Sequence, residues 1–180
     1  MKQELKISNL IGEHVTLRPF CLPDITCEYV SWLNDIDVVR YSNQRFIRHT
    51  ADTCREYLLS FANSTNMFLS VRRKSDDEAI GTMTAYVTLP HETVDIGIMI
   101  GNRAVWGQGM GQDAWGTLLD WFIEERRIRK ATAGALRSNS AMIRIMEKSG
   151  MNLEATRVKH ELQDGTPQDI LYYSKFCHCK

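Results

Sequence analysis

Three glycines at every second position, Gly107, Gly109 and Gly111, have the clearest chemical meaning in this chain. The run before them, Val94–Ile100, is mostly apolar and predicts a buried strand. The residues after them recur at helical spacing and predict an amphipathic helix: Ala114, Trp115, Leu118, Leu119 and Phe122. Glycine lets an anion approach the backbone and permits positive φ, and a helix N-terminus attracts negative charge. The pattern predicts a phosphate-binding loop whose donors are the main-chain amides of residues 108–112.

Two common glycine loops do not fit this spacing. A nucleotide P-loop ends in Gly-Lys-Ser/Thr, whereas Gly111 is followed by Gln112 and Asp113. A Rossmann loop has two residues before its third glycine and follows an early strand, whereas this loop has one residue there and lies past the middle of the chain. A glycine turn without any ligand stays open as the third interpretation.

A second strand and helix follow the glycine loop. Residues 130–135 predict a short strand, and Ser138-Asn139-Ser140 predicts the cap of a helix that begins near Ala141. Met142, Ile145 and Met146 share one face of that helix, which Gly150 would end.

Together these segments resemble the core of the GNAT acetyltransferases. Their acyl-CoA loop has the pattern Gln/Arg-x-x-Gly-x-Gly/Ala, and Trp106–Gly111 matches it with Trp106 in the Gln/Arg place. A Trp there resembles the branch that includes ribosomal-protein N-terminal and amino-sugar acetyltransferases. The resemblance extends from about Val15 to Phe176. It implies an α/β (α+β) fold, a mixed, mostly antiparallel sheet of six to seven strands flanked by about four helices. Its central strands, here 94–100 and 130–135, would splay apart.

The remaining elements are predicted from local patterns. Pro23-Asp24 predicts the start of a helix that runs toward Leu33, and Thr50 predicts the N-cap of another. Strands are predicted over 14–20, 67–73, 79–87, 153–162 and 169–176, the last two as a hairpin.

Bulk properties predict a single domain over residues 1–180. Its 22 Lys and Arg balance its 22 Asp and Glu, which argues against a nucleic-acid surface. No apolar stretch approaches the roughly 20 residues of a membrane span, and the N-terminus lacks the apolar core of a secretion signal. The five cysteines form no paired framework, which suits a cytoplasmic protein. Cys177-His178-Cys179 has poor zinc spacing, so no metal is expected. A homodimer stays open.

The resemblance implies acetyl-CoA as a co-substrate. Pantetheine would pair with the exposed edge of the first splayed strand, and an N–H near Met99 or Ile100 would meet the thioester oxygen. Arg144 and Lys148 would face the 3′-phosphate end or remain solvated helix charges. The expected cofactor-binding residues are Ile98, Met99, Ile100, Trp106, Gly107, Gln108, Gly109, Met110, Gly111, Gln112, Asn139 and Lys148.

An amine acceptor must lose a proton before it attacks a thioester. Asp95 interrupts the strand where family members often carry a carboxylate and is the first candidate base, with His91 and Glu92 in reserve. The family's tyrosine acid corresponds here to Met146, so Asn139, Ser140, the adjacent Ser138 or a water would have to assist the leaving thiolate.

Acceptor recognition is expected between the N-terminal helices. Trp32, Arg40 and Arg45 suit either a sugar ring with a phosphate tail or a polar peptide N-terminus. The resemblance implies N-acetylation of a primary amine by direct attack in a ternary complex. A non-catalytic acyl-CoA-binding module of the same fold is the alternative.

Overall fold

The computed structural model describes residues 7–177. Within them the chain forms eight strands and five α-helices. The strands are β1 (Leu10–Ile11), β2 (Val15–Pro19), β3 (Met67–Arg73), β4 (Ala79–Thr88), β5 (Thr93–Ile100), β6 (Lys130–Leu136), β7 (Asn152–Gln163) and β8 (Thr166–Phe176). The helices are α1 (Cys27–Asn34), α2 (Ile36–Val39), α3 (Ala51–Leu59), α4 (Met110–Asp120) and α5 (Ser140–Lys148).

All eight strands join one sheet in the order β1-β2-β3-β4-β5-β6-β8-β7. Every neighbouring pair is antiparallel except β5 and β6, which run parallel. Their ladder covers only Thr93–Asp95 against Lys130–Thr132, although both strands continue beyond it. The predicted mixed sheet with splayed central strands is confirmed.

Two apolar clusters cover opposite faces of this sheet. One buries α4 and part of α5 against alternate strand residues, with Trp115, Leu118 and Phe122 at its centre. The other packs α1 and α3 around Phe20 and Phe68, whose rings stack with centroids 4.3 Å apart. Because side chains alternate along a strand, β5 presents Ile96 to the first cluster and Met99 to the second.

Three local features differ from the sequence predictions. The structure adds a two-residue β1 and a one-turn α2 capped by Asp35, both too short to show a periodic pattern. Pro23-Asp24 forms a 3₁₀ turn instead of opening a long helix. The Asp24 carboxylate accepts from Arg18 at 2.9 Å and from the Cys21 N–H at 2.9 Å, and α1 starts later, after its N-cap Thr26.

The other expectations concern membrane, metal and cysteines. Within residues 7–177 no helix is long and apolar enough to cross a membrane, and no group of three His, Cys, Asp or Glu is arranged to hold a metal. Cys21, Cys27 and Cys54 are free thiols, whereas Cys177 is disulfide-bonded, so the expectation of unpaired cysteines fails there. His178 and Cys179 lie outside the described residues.

Candidate active site

A cavity of about 850 Å³ opens beside β5 beyond the end of its ladder with β6. Its lining comes from both faces of the sheet: Met110, Met142 and Ile145 on one side, Tyr57 and Phe68 on the other. Splaying of the two strands therefore gives a passage that connects the α4–α5 face with the α1–α3 face.

The glycine loop forms one end of this cavity. Gly107 and Gly109 have φ of +77° and +83°, the left-handed region that favours glycine, and Gly109 is the N-cap of α4. The first helical hydrogen bond runs from the Asp113 N–H to the Gly109 carbonyl. The amides of Met110, Gly111 and Gln112 precede it and have no helical acceptor. Amides in this position at the start of a helix are suited to binding an anion.

The side-chain amides of Gln108 and Gln112 donate hydrogen bonds to other parts of the protein. The Gln108 N–H donates to the Val105 carbonyl and its side-chain amide to the Ala104 carbonyl. Gln108 lies outside the cavity lining, and its N–H is not among the free amides. The Gln112 side chain donates to Ser149 Oγ at 2.8 Å, which joins the start of α4 to the end of α5.

The exposed edge of β5 presents alternate residues to the gap. The Gly101 N–H donates to the Ile80 carbonyl, so odd-numbered residues from 95 to 101 direct their main chain at β4. The N–H groups of Ile98 and Ile100 therefore face the gap, whereas Met99 lines the cavity through its side chain only. Trp106, 44% exposed, donates its indole N–H to the Ile100 carbonyl at 2.9 Å and also lines the cavity.

Helix α5 contributes one amide and two cations. Asn139 is its N-cap, with Oδ1 accepting from the Met142 N–H at 3.2 Å, and its Nδ2 has no partner within the described residues. Arg144 and Lys148 line the cavity near the glycine loop, and neither pairs with a carboxylate of residues 7–177. Ser140 is exposed and outside the lining.

Asp95 lies just outside the cavity on the face that carries Gly97, which lines it. Two residues along a strand span about 7 Å, a distance that one or two waters would bridge. Thr132 Oγ1 donates to Asp95 Oδ2 at 2.7 Å. Solvent reaches the side chain, yet the surrounding protein desolvates the carboxylate and raises its pKa, while the Thr132 hydrogen bond acts in the opposite direction.

Two side chains, Met146 and Tyr57, bear on which group could act as the general acid. Met146, in the family's tyrosine place, is fully buried in the α4–α5 cluster and does not line the cavity. Tyr57 does line it, and its hydroxyl is 2.8 Å from that of Tyr86. Burial raises the pKa of Tyr57, so this hydroxyl keeps its proton. No sequence motif marks Tyr57, which packs against the α1–α3 cluster.

The three expected acceptor residues have different environments. Trp32 is only 7% exposed and its ring packs on Gly101, so it is a core residue that cannot stack on a ligand. Arg45 donates to the carbonyls of Ser42 and Leu162, which ties it to the β7–β8 hairpin outside the large cavity. Arg40 lines the cavity, with its guanidinium 4.9 Å from the Tyr41 ring centroid.

The family model of the GNAT acetyltransferase domain matches residues 14–152. The chain belongs to the GNAT acetyltransferase family. No curated protein matches the sequence significantly.

Solved GNAT structures show the same fold at low identity. A GNAT-family acetyltransferase from Bacillus anthracis is 20% identical with a TM-score of 0.80, over 94% of this chain and 98% of that one. The ribosomal L7/L12 N-terminal acetyltransferase RimL, solved with coenzyme A, is 13% identical with a TM-score of 0.81, over 96% and 100%. The Vibrio cholerae spermidine N-acetyltransferase, solved with CoA and spermine, is 16% identical with a TM-score of 0.80, over 92% and 97%.

One residue beside the GNAT loop was missed by the sequence patterns. The Asp113 carboxylate accepts three main-chain hydrogen bonds from the β1–β2 turn: Glu13 N at 3.1 Å, His14 N at 2.7 Å and Val15 N at 3.0 Å. It therefore fixes the first turn of α4 against the sheet edge. A carboxylate in a first helical turn is common, so Asp113 does not stand out in the sequence. Its hydrogen-bond partners lie about 100 residues away and leave no local pattern.

Asp113→Ala is expected to lower the free energy of unfolding by about 2–3 kcal/mol, because it leaves three amides without their charged acceptor. Urea denaturation measures the change. The control is Asp120→Ala on the same helix, which should cost less than about 1 kcal/mol. The exposed Asp120 carboxylate pairs with Lys175 at 3.2 Å and with no other cation of residues 7–177. Equal losses in the two variants would contradict the anchoring role.

Proposed function

We propose that this protein is an acetyl-CoA-dependent N-acetyltransferase that transfers an acetyl group to a primary amine by direct attack in a ternary complex. The observation that carries this proposal is the single cavity, which joins unpaired helix-start amides to a hydroxyl- and aromatic-lined pocket through the gap beside β5. One end suits a diphosphate and the other an organic amine. Support also comes from the family and from neighbours solved with acetyl-CoA or CoA.

The residues fit the long, polyanionic shape of a coenzyme A thioester. The amides of Met110, Gly111 and Gln112 would hold the diphosphate, and Arg144 and Lys148 lie close enough along α5 to meet further phosphate. The free edge of β5 would pair with the pantetheine amides as an added strand does. Asn139 Nδ2 would donate to the same arm.

The thioester supplies the activated acyl carbon, and the protein would stabilise the charge that develops on its oxygen. The N–H of Ile98 or Ile100 faces the gap and is the donor for that oxyanion. A well-placed donor of this kind contributes on the order of 3 kcal/mol to transition-state stabilisation. Since both donors belong to the main chain, substitution of either side chain tests packing and not this interaction.

The amine would lose its proton to Asp95 through ordered water, because Asp95 lies one strand repeat from the cavity. Its raised pKa makes it a better base than an ordinary aspartate. No cysteine within residues 7–177 lines the cavity, which agrees with attack by the amine itself instead of a cysteine-bound intermediate.

The acceptor we propose is an amino-sugar nucleotide or the N-terminus of a peptide. RimL is an acetyltransferase of a ribosomal protein N-terminus, and the microcin C7 self-immunity acetyltransferase MccE was solved with acetyl-CoA and AMP. The MccE structure has a TM-score of 0.79 at 17% identity, over 92% of this chain and 93% of that one. Both acceptor classes would enter from the α1–α3 face, where Arg40 and Tyr57 line the cavity.

The test is a two-part measurement on the purified chain. Calorimetry should detect acetyl-CoA binding, and free thiol should appear only when a suitable amine is added, with mass spectrometry showing the acetylated amine. Binding without thiol release across sugars, peptides and polyamines would favour the non-catalytic acyl-CoA-binding module. No binding of acetyl-CoA would overturn the proposal.

A further inference from the structure

The acceptor end of the cavity has an uneven distribution of charge. Asp37 is the one carboxylate among its lining residues in the described part of the chain, and its Oδ2 lies 2.8 Å from Arg103 Nη1. Asp35 also contacts Arg103, at 3.4 Å. Asp37 is therefore already paired with Arg103, although the group of Asp35, Asp37 and Arg103 carries a net charge of −1.

Arg40 has the opposite character. It lines the same cavity, and within residues 7–177 its guanidinium has no carboxylate partner. Its guanidinium lies over the Tyr41 ring, a contact that holds its orientation without cancelling its charge. A guanidinium of this kind is suited to bidentate binding of carboxylate or phosphate.

The part of the cavity wall that α1 and β3 form is apolar or aromatic. Tyr29, Leu33 and Phe68 line it, and Phe68 packs between Phe20 and Phe61 with ring centroids 4.3 Å and 5.3 Å away. Such a wall suits a ring or hydrocarbon body better than a flexible polar chain.

The wall is also held in place. Asn34 Nδ2 donates to the His49 carbonyl and its Oδ1 accepts from the His49 N–H, which closes the segment 35–48 at its base. Arg45 then joins that segment to the hairpin through the Leu162 carbonyl, at 2.9 Å. The segment that carries Arg40 is thus tied to α1 and to the hairpin.

We infer that the acceptor is a monoamine with an anionic group, a carboxylate or a phosphate, which Arg40 binds while the amine points into the gap. This inference rests on the proposed function and narrows its acceptor. It excludes polyamines as the preferred substrates, since their additional ammonium groups would meet the positive charge of Arg40, while Asp37 is already paired with Arg103.

The experiment compares matched amines with the full chain and saturating acetyl-CoA. The pairs are glucosamine with glucosamine 6-phosphate and tyramine with tyrosine, and spermidine is the polycation. In at least one pair, we expect the member that carries the phosphate or carboxylate to have a kcat/KM about 10- to 100-fold higher than the partner that lacks it. A higher kcat/KM for glucosamine 6-phosphate than for glucosamine would identify the anionic group as a phosphate. A higher kcat/KM for tyrosine than for tyramine would identify it as a carboxylate.

Arg40→Gln should bring the kcat/KM ratio of that pair close to one. Arg48→Gln is the matched control, because it removes the same charge from the same segment outside the large cavity. The inference would be overturned if spermidine, glucosamine or tyramine had the higher kcat/KM. It would also be overturned if the preference survived Arg40→Gln. Either result would leave acetyl transfer intact. Thiol release with no amine at all would instead overturn the proposed function, and the inference with it.

Discussion

Gly111→Glu is expected to weaken acetyl-CoA binding at least about 100-fold, because it places a carboxylate where the helix start would hold a diphosphate. Gly111 lines the cavity, and its φ is not in the left-handed region, unlike that of Gly109. An added Cβ would lie 3.5 Å from Ile100 Cγ1 and 3.6 Å from Ile145 Cδ1, which is ordinary contact. Glutamate also favours a first helical turn, so the fold should persist. Calorimetry measures the affinity.

Gly116→Glu is the matched control for this variant. Gly116 lies in the same helix, outside the cavity, and a Cβ there meets no atom within 4 Å. The substitution adds the same charge and the same gain in helix propensity without reaching the loop. It should bind acetyl-CoA with nearly the original affinity. Equal affinity of the two variants would show that the start of α4 does not hold phosphate.

Asp95→Asn is expected to lower kcat by about 100- to 1000-fold, because the amide cannot take a proton from the amine. The affinity for acetyl-CoA should change little, since Asp95 does not line the cavity. Burial raises the Asp95 pKa, so the folded protein binds this proton more tightly than the unfolded chain does. Ionised Asp95 therefore lowers stability at pH values above its folded pKa, and the variant should unfold at no lower temperature at neutral pH.

The pH profile separates proton transfer from a structural role. In the original protein kcat/KM should fall as the pH decreases through the raised Asp95 pKa, and Asp95→Asn should lack that acidic limb. Thr132→Val is the companion variant, because the Thr132 hydrogen bond lowers the Asp95 pKa. Its removal should move the acidic limb to higher pH. An unchanged limb in both variants would assign the base to another residue.

The parts of the fold that the sequence predicted are those that local rules determine. The glycine loop, the Asn139 cap and the Thr50 cap are each read within a few residues, and the structure has helices starting directly after all three. The separation of β5 from β6 was also predicted, but from the family resemblance and not from the periodicity of the sequence. The one-turn α2 and the two-residue β1 depend on tertiary contacts and have no pattern of their own.

The same distinction applies to the candidate site. Residues of the loop and of the β5 edge line the cavity as expected because they are consecutive in sequence, with Gln108 as the exception whose amide bonds within the loop. The acceptor side depends on which face of α1 packs inward and on where the hairpin crosses. Sequence chemistry therefore could not distinguish the cavity-lining Arg40 from the buried Trp32 or from Arg45.

The most direct test of the account is an amide NMR titration of ¹⁵N-labelled protein with acetyl-CoA. Hydrogen bonds to phosphate should move the amide proton resonances of Met110, Gly111 and Gln112 downfield, and the edge amides of Ile98 and Ile100 should shift at the same ligand concentrations. Gly116, on the same helix, should move little. Saturation of binding without shifts at residues 110–112 would contradict the claim that the start of α4 holds the coenzyme.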